Sequence, residues 1–100
     1  MSTIKTEKLR IERILRDKGH VFGKWEYSPL RSGETSKSRI RLFCSVCHVE
    51  VEMDINGDDN YRPANFYKGH TASFYRSHPK YLEHVIIQCP YSKQKTLGGL

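Results

Sequence analysis

Cysteine is scarce in this sequence, and apolar runs long enough to span a membrane are missing. There are three cysteines, and an odd number argues against the paired disulfides of a small secreted protein. No apolar stretch approaches the about 20 residues that a transmembrane helix needs. The N-terminal segment is charged from the fifth residue and lacks the apolar core of a signal peptide. We therefore expect an intracellular protein, cytoplasmic or nuclear, in a reducing compartment.

Apolar and acidic side chains are also sparse. Hydrophobic residues make up 37% of the 100 residues, which predicts one small domain with a thin core that a structural metal would help to stabilise. The chain has seventeen lysines and arginines and eleven acidic residues, which gives a formal net charge of +6 at pH 7. This excess favours an anionic partner, and we predict nucleic acid, either DNA or RNA. The simpler alternative is that the charge only keeps the protein soluble.

A pair of cysteines organises the middle of the chain. Cys44 and Cys47 lie three residues apart, between the segments 38–43 and 49–55, which alternate polar and apolar residues. Such alternation predicts two strands that are each buried on one face. A Cys-x-x-Cys turn between two strands predicts a zinc knuckle, in which both sulfurs point at one metal ion.

The rest of the predicted metal site comes from the C-terminal part of the chain. Zinc takes four sulfur or nitrogen ligands, so after Cys89 the fourth ligand must be a histidine. His84 is preferred because it lies on the same segment as Cys89. His78 and His70 are the next candidates, and His48 is disfavoured because it adjoins the knuckle. The predicted Zn²⁺ ligands are Cys44, Cys47, His84 and Cys89. Inert buried thiols and a redox Cys-x-x-Cys pair are the alternatives.

The knuckle resembles those of the zinc-ribbon and treble-clef group of zinc fingers, over residues 39–92 at most. The sequence departs from the ribbon pattern at Ser92, where a second Cys-x-x-Cys pair would have its second cysteine. Many proteins of that group bind nucleic acid or other proteins, so the resemblance implies a binding function for this chain.

The predicted fold class is α+β, with a small zinc-ribbon-like antiparallel sheet, an N-terminal basic helix and a short C-terminal helix or strand. The helix covers residues 2–18, is capped by Ser2 or Thr3 and stops at Gly19. Residues 21–27 are rich in aromatic side chains and predict a first strand.

The later segments complete this prediction. A mobile basic connection covers residues 28–38, and a short helix begins at His78-Pro79. Residues 81–89 form helix or strand. We expect one zinc-stabilised domain over residues 1–92 and a flexible tail over residues 93–100.

Cationic side chains on the helix, in the basic connection and among the tyrosines and phenylalanines of residues 61–81 predict the surface that contacts phosphate. Aromatic rings interleaved with cations are typical of nucleic-acid binding. The candidates are Lys5, Lys8, Arg13, Arg16, Arg31, Lys37, Arg39, Arg41, Arg62, Lys68 and Arg76. A small regulatory nucleic-acid-binding protein is the leading functional prediction.

Two other functions stay open. Five of the eleven acids lie in residues 50–59 and could dock on a basic protein, as in an interaction module that modulates a larger partner. A metal-dependent nuclease is the third possibility, and segment 83–87 resembles the strand that bears the histidine pair of histidine-and-asparagine nucleases. Residue types suited to that reaction are the five histidines, Asp54, Asp58, Asp59 and Asn65. No catalytic residue is assigned.

Overall fold

One antiparallel sheet and a long N-terminal helix form the fold, and this confirms the predicted α+β class. The computed structural model describes residues 3–30, 32–33, 35–57, 60–69 and 73–91. The elements are α1 (Ile4–Asp17), β1 (Glu26–Tyr27), β2 (Ser38–Phe43), β3 (Glu50–Gly57), β4 (Asn60–Lys68), β5 (Phe74–Arg76), a 3-10 turn (Pro79–Tyr81) and α2 (Leu82–Val85). The five strands are hydrogen-bonded in their chain order, from β1 at one edge to β5 at the other.

Local sequence signals set both ends of α1. The Thr3 side chain accepts a hydrogen bond from the Thr6 N–H at 3.1 Å, which caps the start. Gly19 follows the helix with φ of 79°, a left-handed conformation that suits glycine. The next N–H, that of His20, donates back to the Leu15 carbonyl at 2.9 Å. The predicted cap and stop are confirmed, and the closing turn fixes His20 beneath the end of the helix.

The core lies between α1 and one side of the sheet, which we call the helix face. Alternate residues of β2 and β3 point to this side, as the period-2 pattern predicts. Its fully buried larger side chains include Ile11, Leu15, Leu42, Val51, Met53, Leu82 and Ile86. The same cluster contains all three cysteines, so the apolar core continues into the sulfur-rich end of the domain.

Charged and aromatic side chains occupy the other side, which we call the open face. Strand register aligns them in three rows: Phe43–Glu50–Lys68–Phe74, Arg41–Glu52–Phe66–Arg76 and Arg39–Asp54–Arg62. Opposite charges therefore meet across neighbouring strands. Arg39 Nε lies 2.8 Å from Asp54 Oδ1, and Glu50 Oε1 lies 3.4 Å from Arg41 and 3.8 Å from Lys68.

The acidic side chains of residues 50–54 take part in these ion pairs. Glu50 and Glu52 are buried, with 4% and 6% of their surface exposed, and Asp54 pairs with Arg39. They form part of an internal charge network and do not make a free acidic surface. Asp58 and Asp59 lie outside the described residues.

Two segments follow the sequence predictions in part. Of the expected first strand, Glu26–Tyr27 pairs with β2 and Phe22 forms an isolated bridge to Cys44, whereas Trp25 between them donates to Glu12 on α1 at 2.9 Å. In segment 81–89 the helix alternative is correct for Leu82–Val85, and the backbone of Ile86 after it is extended. The start at His78 agrees with the prediction, since its ring accepts a hydrogen bond from the Lys80 N–H. The predicted tail and the domain limit at 92 lie outside the described residues.

The buried carboxylate of Glu7 links α1 to β4 by a hydrogen bond. Glu7 accepts hydrogen bonds from the Ala64 N–H at 2.9 Å and from Arg10 at 2.8 and 2.9 Å. Arg10 in turn donates to the Pro79 carbonyl at 3.2 Å. Burial alone would raise the pKa of Glu7, but the Arg10 and Ala64 donors outweigh it, and the pKa is lowered from 4.5.

Replacing this carboxylate should destabilise the domain in a pH-dependent way. Because the folded-state pKa is lowered, the charge of Glu7 stabilises the fold above its ordinary pKa of 4.5 and ceases to do so as the pH falls through the lowered value. Glu7→Gln is expected to reduce the free energy of unfolding by about 1–3 kcal/mol at neutral pH. Denaturant melts at several pH values measure this difference.

The matched control is Asp17→Asn, which removes an exposed carboxylate from the same helix. It should change stability by less than about 0.5 kcal/mol. A gap between the wild type and Glu7→Gln that stays constant into acid would contradict the assigned role of the charge.

Candidate metal centre

The predicted Cys-x-x-Cys turn, called the knuckle below, joins β2 and β3. The Cys44 N–H donates to the Val49 carbonyl at 2.8 Å, and the His48 N–H donates to the Cys44 carbonyl at 3.0 Å. The Val46 and Cys47 N–H groups point at Cys44 Sγ, at 3.4 and 3.5 Å. His48 adopts a φ of 70°, the left-handed conformation needed to turn the chain back into β3. Both sulfurs are thus held on the inner side of the turn.

The second half of the centre joins the end of α1 to the segment after α2. The Cys89 N–H donates to the Lys18 carbonyl at 2.9 Å, and the Lys18 ammonium donates to the Ile86 carbonyl. The Ser45 N–H donates to the Val21 carbonyl at 2.8 Å, which fastens the knuckle to the residues after His20. Backbone contacts therefore bring three distant stretches of chain to one point.

Four metal-binding side chains meet there: His20, Cys44, Cys47 and Cys89. Their ligand atoms all lie within 4.8 Å of one another, and each residue is at most 5% exposed. His20 Nδ1 lies 3.3 Å from Cys47 Sγ, while Nε2 lies 2.8 Å from the Ile87 carbonyl. If Nε2 carries the proton and donates it to Ile87, the lone pair of Nδ1 faces the sulfurs. This buried set of three sulfurs and one nitrogen can coordinate a metal ion.

The electrostatics of the two knuckle sulfurs differ. Burial alone would raise the pKa of Cys44, but the N–H groups of Cys47 and Val46 outweigh it and lower the pKa to about 6. Burial, together with the neighbouring Cys44 sulfur, raises the pKa of Cys47 to about 12. Without a bound cation, one cysteine of the pair is readily deprotonated, and deprotonation of the second is unfavourable. A bound divalent ion would stabilise both thiolates.

The structure places His84 away from this centre. Its side chain is 71% exposed on α2, and its nearest charged partner is Glu83, at 4.0 Å. The reason is helical periodicity: Leu82 and Ile86, one turn apart, are buried in the core, so His84 between them points to solvent.

His78, a further candidate, and His48, which was disfavoured, do not belong to the cluster either. His78 is exposed and caps the 3-10 turn, and His48 is exposed on the outside of the knuckle. His70 lies outside the described residues. The histidine that the structure brings to the three cysteines, and that the sequence did not reveal, is His20, which is 24 positions before Cys44 along the chain. Its one local signal is the position after the Gly19 helix stop, which fixes its backbone but does not indicate a metal.

Several residues predicted to contact phosphate have contacts within the protein. Arg39, Arg41 and Lys68 belong to the ion pairs of the open face. Others lie over aromatic rings: Lys8 over Trp25, Arg16 over Phe22 and Arg76 over Phe66. Lys5, Arg13, Lys37 and Arg62 are exposed. Arg31 lies outside the described residues.

Of the acids and the amide considered for nuclease chemistry, those that the structure describes do not belong to the sulfur cluster. Asp54 and Asn65 line a shallow depression of the open face, where Asp54 pairs with Arg39. Segment 83–87, expected as a strand in that hypothesis, is the end of α2 followed by extended chain.

Two further observations concern the whole chain. Within the described ranges, no helix is both long and apolar enough to cross a membrane. Comparison with protein-family models, with curated proteins and with solved structures gives no match. The functional argument for this chain therefore rests on the geometry of its own residues.

Proposed function

We propose that this chain is a small nucleic-acid-binding protein whose fold is held together by one structural Zn²⁺ ion. The observation that carries the zinc assignment is the convergence of His20, Cys44, Cys47 and Cys89 within 4.8 Å in a buried position. Sulfurs about 2.3 Å from a shared tetrahedral zinc ion lie about 3.8 Å apart. The cluster is thus close to the size that zinc requires.

The ligand set favours a structural ion over a catalytic one. Catalytic zinc keeps a coordination position open for water or substrate, whereas structural zinc takes four protein ligands and is closed. All four ligands of this centre are at most 5% exposed. We therefore assign the centre a role in stability, with binding of a partner as the activity. The knuckle geometry supports a zinc-ribbon-like centre in which His20 provides the fourth ligand.

The charge of the chain supports nucleic acid as the partner. The chain carries a net +6, while three acids, Glu50, Glu52 and Asp54, lie within the internal charge network of the open face. The same network takes up Arg39, Arg41 and Lys68, so the excess of positive charge is carried by the other residues of the chain. A positive surface attracts a polyanion and supports a regulatory protein that acts by binding.

Salt dependence tests this assignment. Each phosphate that a cation neutralises releases counterions, so the logarithm of the affinity should fall by about 0.7–0.9 per contact for each tenfold increase in salt. We expect the zinc-loaded protein to bind mixed-sequence oligonucleotides with an affinity that drops steeply between about 50 and 200 mM salt. Fluorescence anisotropy measures this. An affinity that is flat over that range, or an absence of binding, would contradict the nucleic-acid assignment.

A protein partner is the second candidate, and one feature favours it. An apolar depression lies on the helix face, where Tyr75, Val85 and Ile87 are 46%, 36% and 44% exposed. Exposed apolar side chains that share one depression are typical of protein-binding surfaces. Co-purification of a partner that survives nuclease treatment would support this candidate.

A further inference from the structure

Aromatic rings and cations lie together at the β4–β5 edge of the open face. The rings of Phe66 and Phe74 are stacked, with centroids 5.2 Å apart and an angle of 19° between their planes. The Arg76 guanidinium lies 5.2 Å from the centroid of the Phe66 ring. Phe74 is 49% exposed, far more than a core phenylalanine of a small domain would be.

The acids of β3 on this face are less accessible than the described cations of β4 and β5. Glu50 and Glu52 are almost fully buried, whereas Arg62 and Arg76 are exposed. Glu26 is exposed too, but it lies on β1 at the opposite edge of the sheet. A molecule that approaches β4 and β5 therefore meets positive charge and aromatic carbon, with the carboxylates beneath them.

Two depressions of the open face are each lined by an aromatic ring and by cationic side chains. One is lined by Arg62, Phe66 and Arg76, with the Arg39 ion pairs at its base. The other, beside the knuckle, is lined by Phe43 and Lys68. Rings on alternate strands of a sheet lie about 10 Å apart, a distance that an extended nucleotide chain can follow.

We propose that the open face of β4 and β5 binds single-stranded nucleic acid, an inference that rests on the proposed nucleic-acid-binding function. The exposed Phe74 ring, supported by Phe66 stacked against it, provides the surface on which an unpaired base stacks, and Arg62, Lys68 and Arg76 contact the phosphates. Bases inside a duplex have no exposed faces to stack on a flat sheet, so the rings select single strands. Sequence preference is expected to be weak, because every base has a face that can stack.

The test compares one labelled oligonucleotide of about 15 nucleotides as a single strand and as a duplex, with the full-length zinc-loaded protein. Phe74→Leu removes an exposed ring and should weaken single-strand binding by at least about fivefold. Arg76→Gln should lower the slope of log affinity against log salt by about 0.7.

Matched controls lie at the opposite edge of the sheet. Tyr27→Leu removes a ring that is 80% exposed on β1, and Lys24→Gln removes an exposed cation just before β1. Both should leave the affinity and the salt slope unchanged. Zinc content and melting temperature verify that each variant is folded. If Phe74→Leu is not folded, the effect of Arg76→Gln on single-strand binding alone tests the open face.

The outcomes separate the inference from the function on which it rests. Tighter binding of the single strand, weakened by Phe74→Leu or Arg76→Gln and not by the controls, supports the open face. Equal or tighter duplex binding, or a loss caused by Arg13→Gln on α1 that exceeds the loss caused by Arg76→Gln, overturns the inference and keeps nucleic-acid binding. If neither oligonucleotide form binds, the proposed function fails as well.

Discussion

Removing the metal ion is expected to unfold the domain. The proposed ligands join the end of α1, the β2–β3 knuckle and the segment after α2, which are far apart along the chain. Structural zinc contributes about 10–16 kcal/mol in zinc-finger peptides, whereas the net stability of a whole domain is about 5–15 kcal/mol. Loss of the ion should therefore exceed what the thin core can compensate.

A strong zinc chelator provides the experiment. The cooperative thermal transition, followed by circular dichroism and by the fluorescence of Trp25, should disappear on chelation and return when Zn²⁺ is added back. Magnesium offers a control, because it prefers oxygen ligands and should not restore folding. A melting temperature that does not change on chelation would contradict a structural ion.

The second large effect is expected on the zinc affinity when His20 is replaced by alanine, with the same replacement of His84 as the comparison. His20→Ala removes a proposed ligand that is buried, and its loss should weaken zinc binding by more than the roughly 10–100-fold that is typical when a residue hydrogen-bonded to a metal ligand is changed. His84→Ala makes the same chemical change on a side chain that is 71% exposed, and it should leave the zinc affinity unchanged. Competition with a chromophoric chelator measures both affinities.

A conservative replacement separates ligation from packing in this experiment. His20→Cys keeps a soft ligand at the site and should restore much of the zinc affinity that His20→Ala loses. If His84→Ala lowers the affinity and His20→Ala does not, the assignment of the nitrogen ligand is wrong.

The parts of the site that could be predicted from the sequence are those built by neighbouring residues. Cys44 and Cys47 are brought together by one turn, and the strands on either side of them show their period directly in the sequence. The helix stop at Gly19 is equally local. In each case a few adjacent residues determine the backbone conformation, so the sequence pattern alone predicts it.

His20 and the charge rows could not be found this way because they depend on tertiary contacts. His20 reaches Cys47 through packing of α1 against residues 86–89, and its ring is oriented by the Ile87 carbonyl. Likewise, Arg39 is a plausible phosphate ligand in the sequence, and only the β2–β3 register places it opposite Asp54. Long-range pairing decided which cations remained at the surface.

X-ray absorption at the zinc edge of the purified, folded protein tests the metal centre most directly. We predict one zinc ion per chain in a four-coordinate shell, with three sulfurs at about 2.3 Å and one nitrogen at about 2.0 Å. A folded protein that holds no zinc, or a shell with fewer than three sulfurs, would contradict the proposed centre.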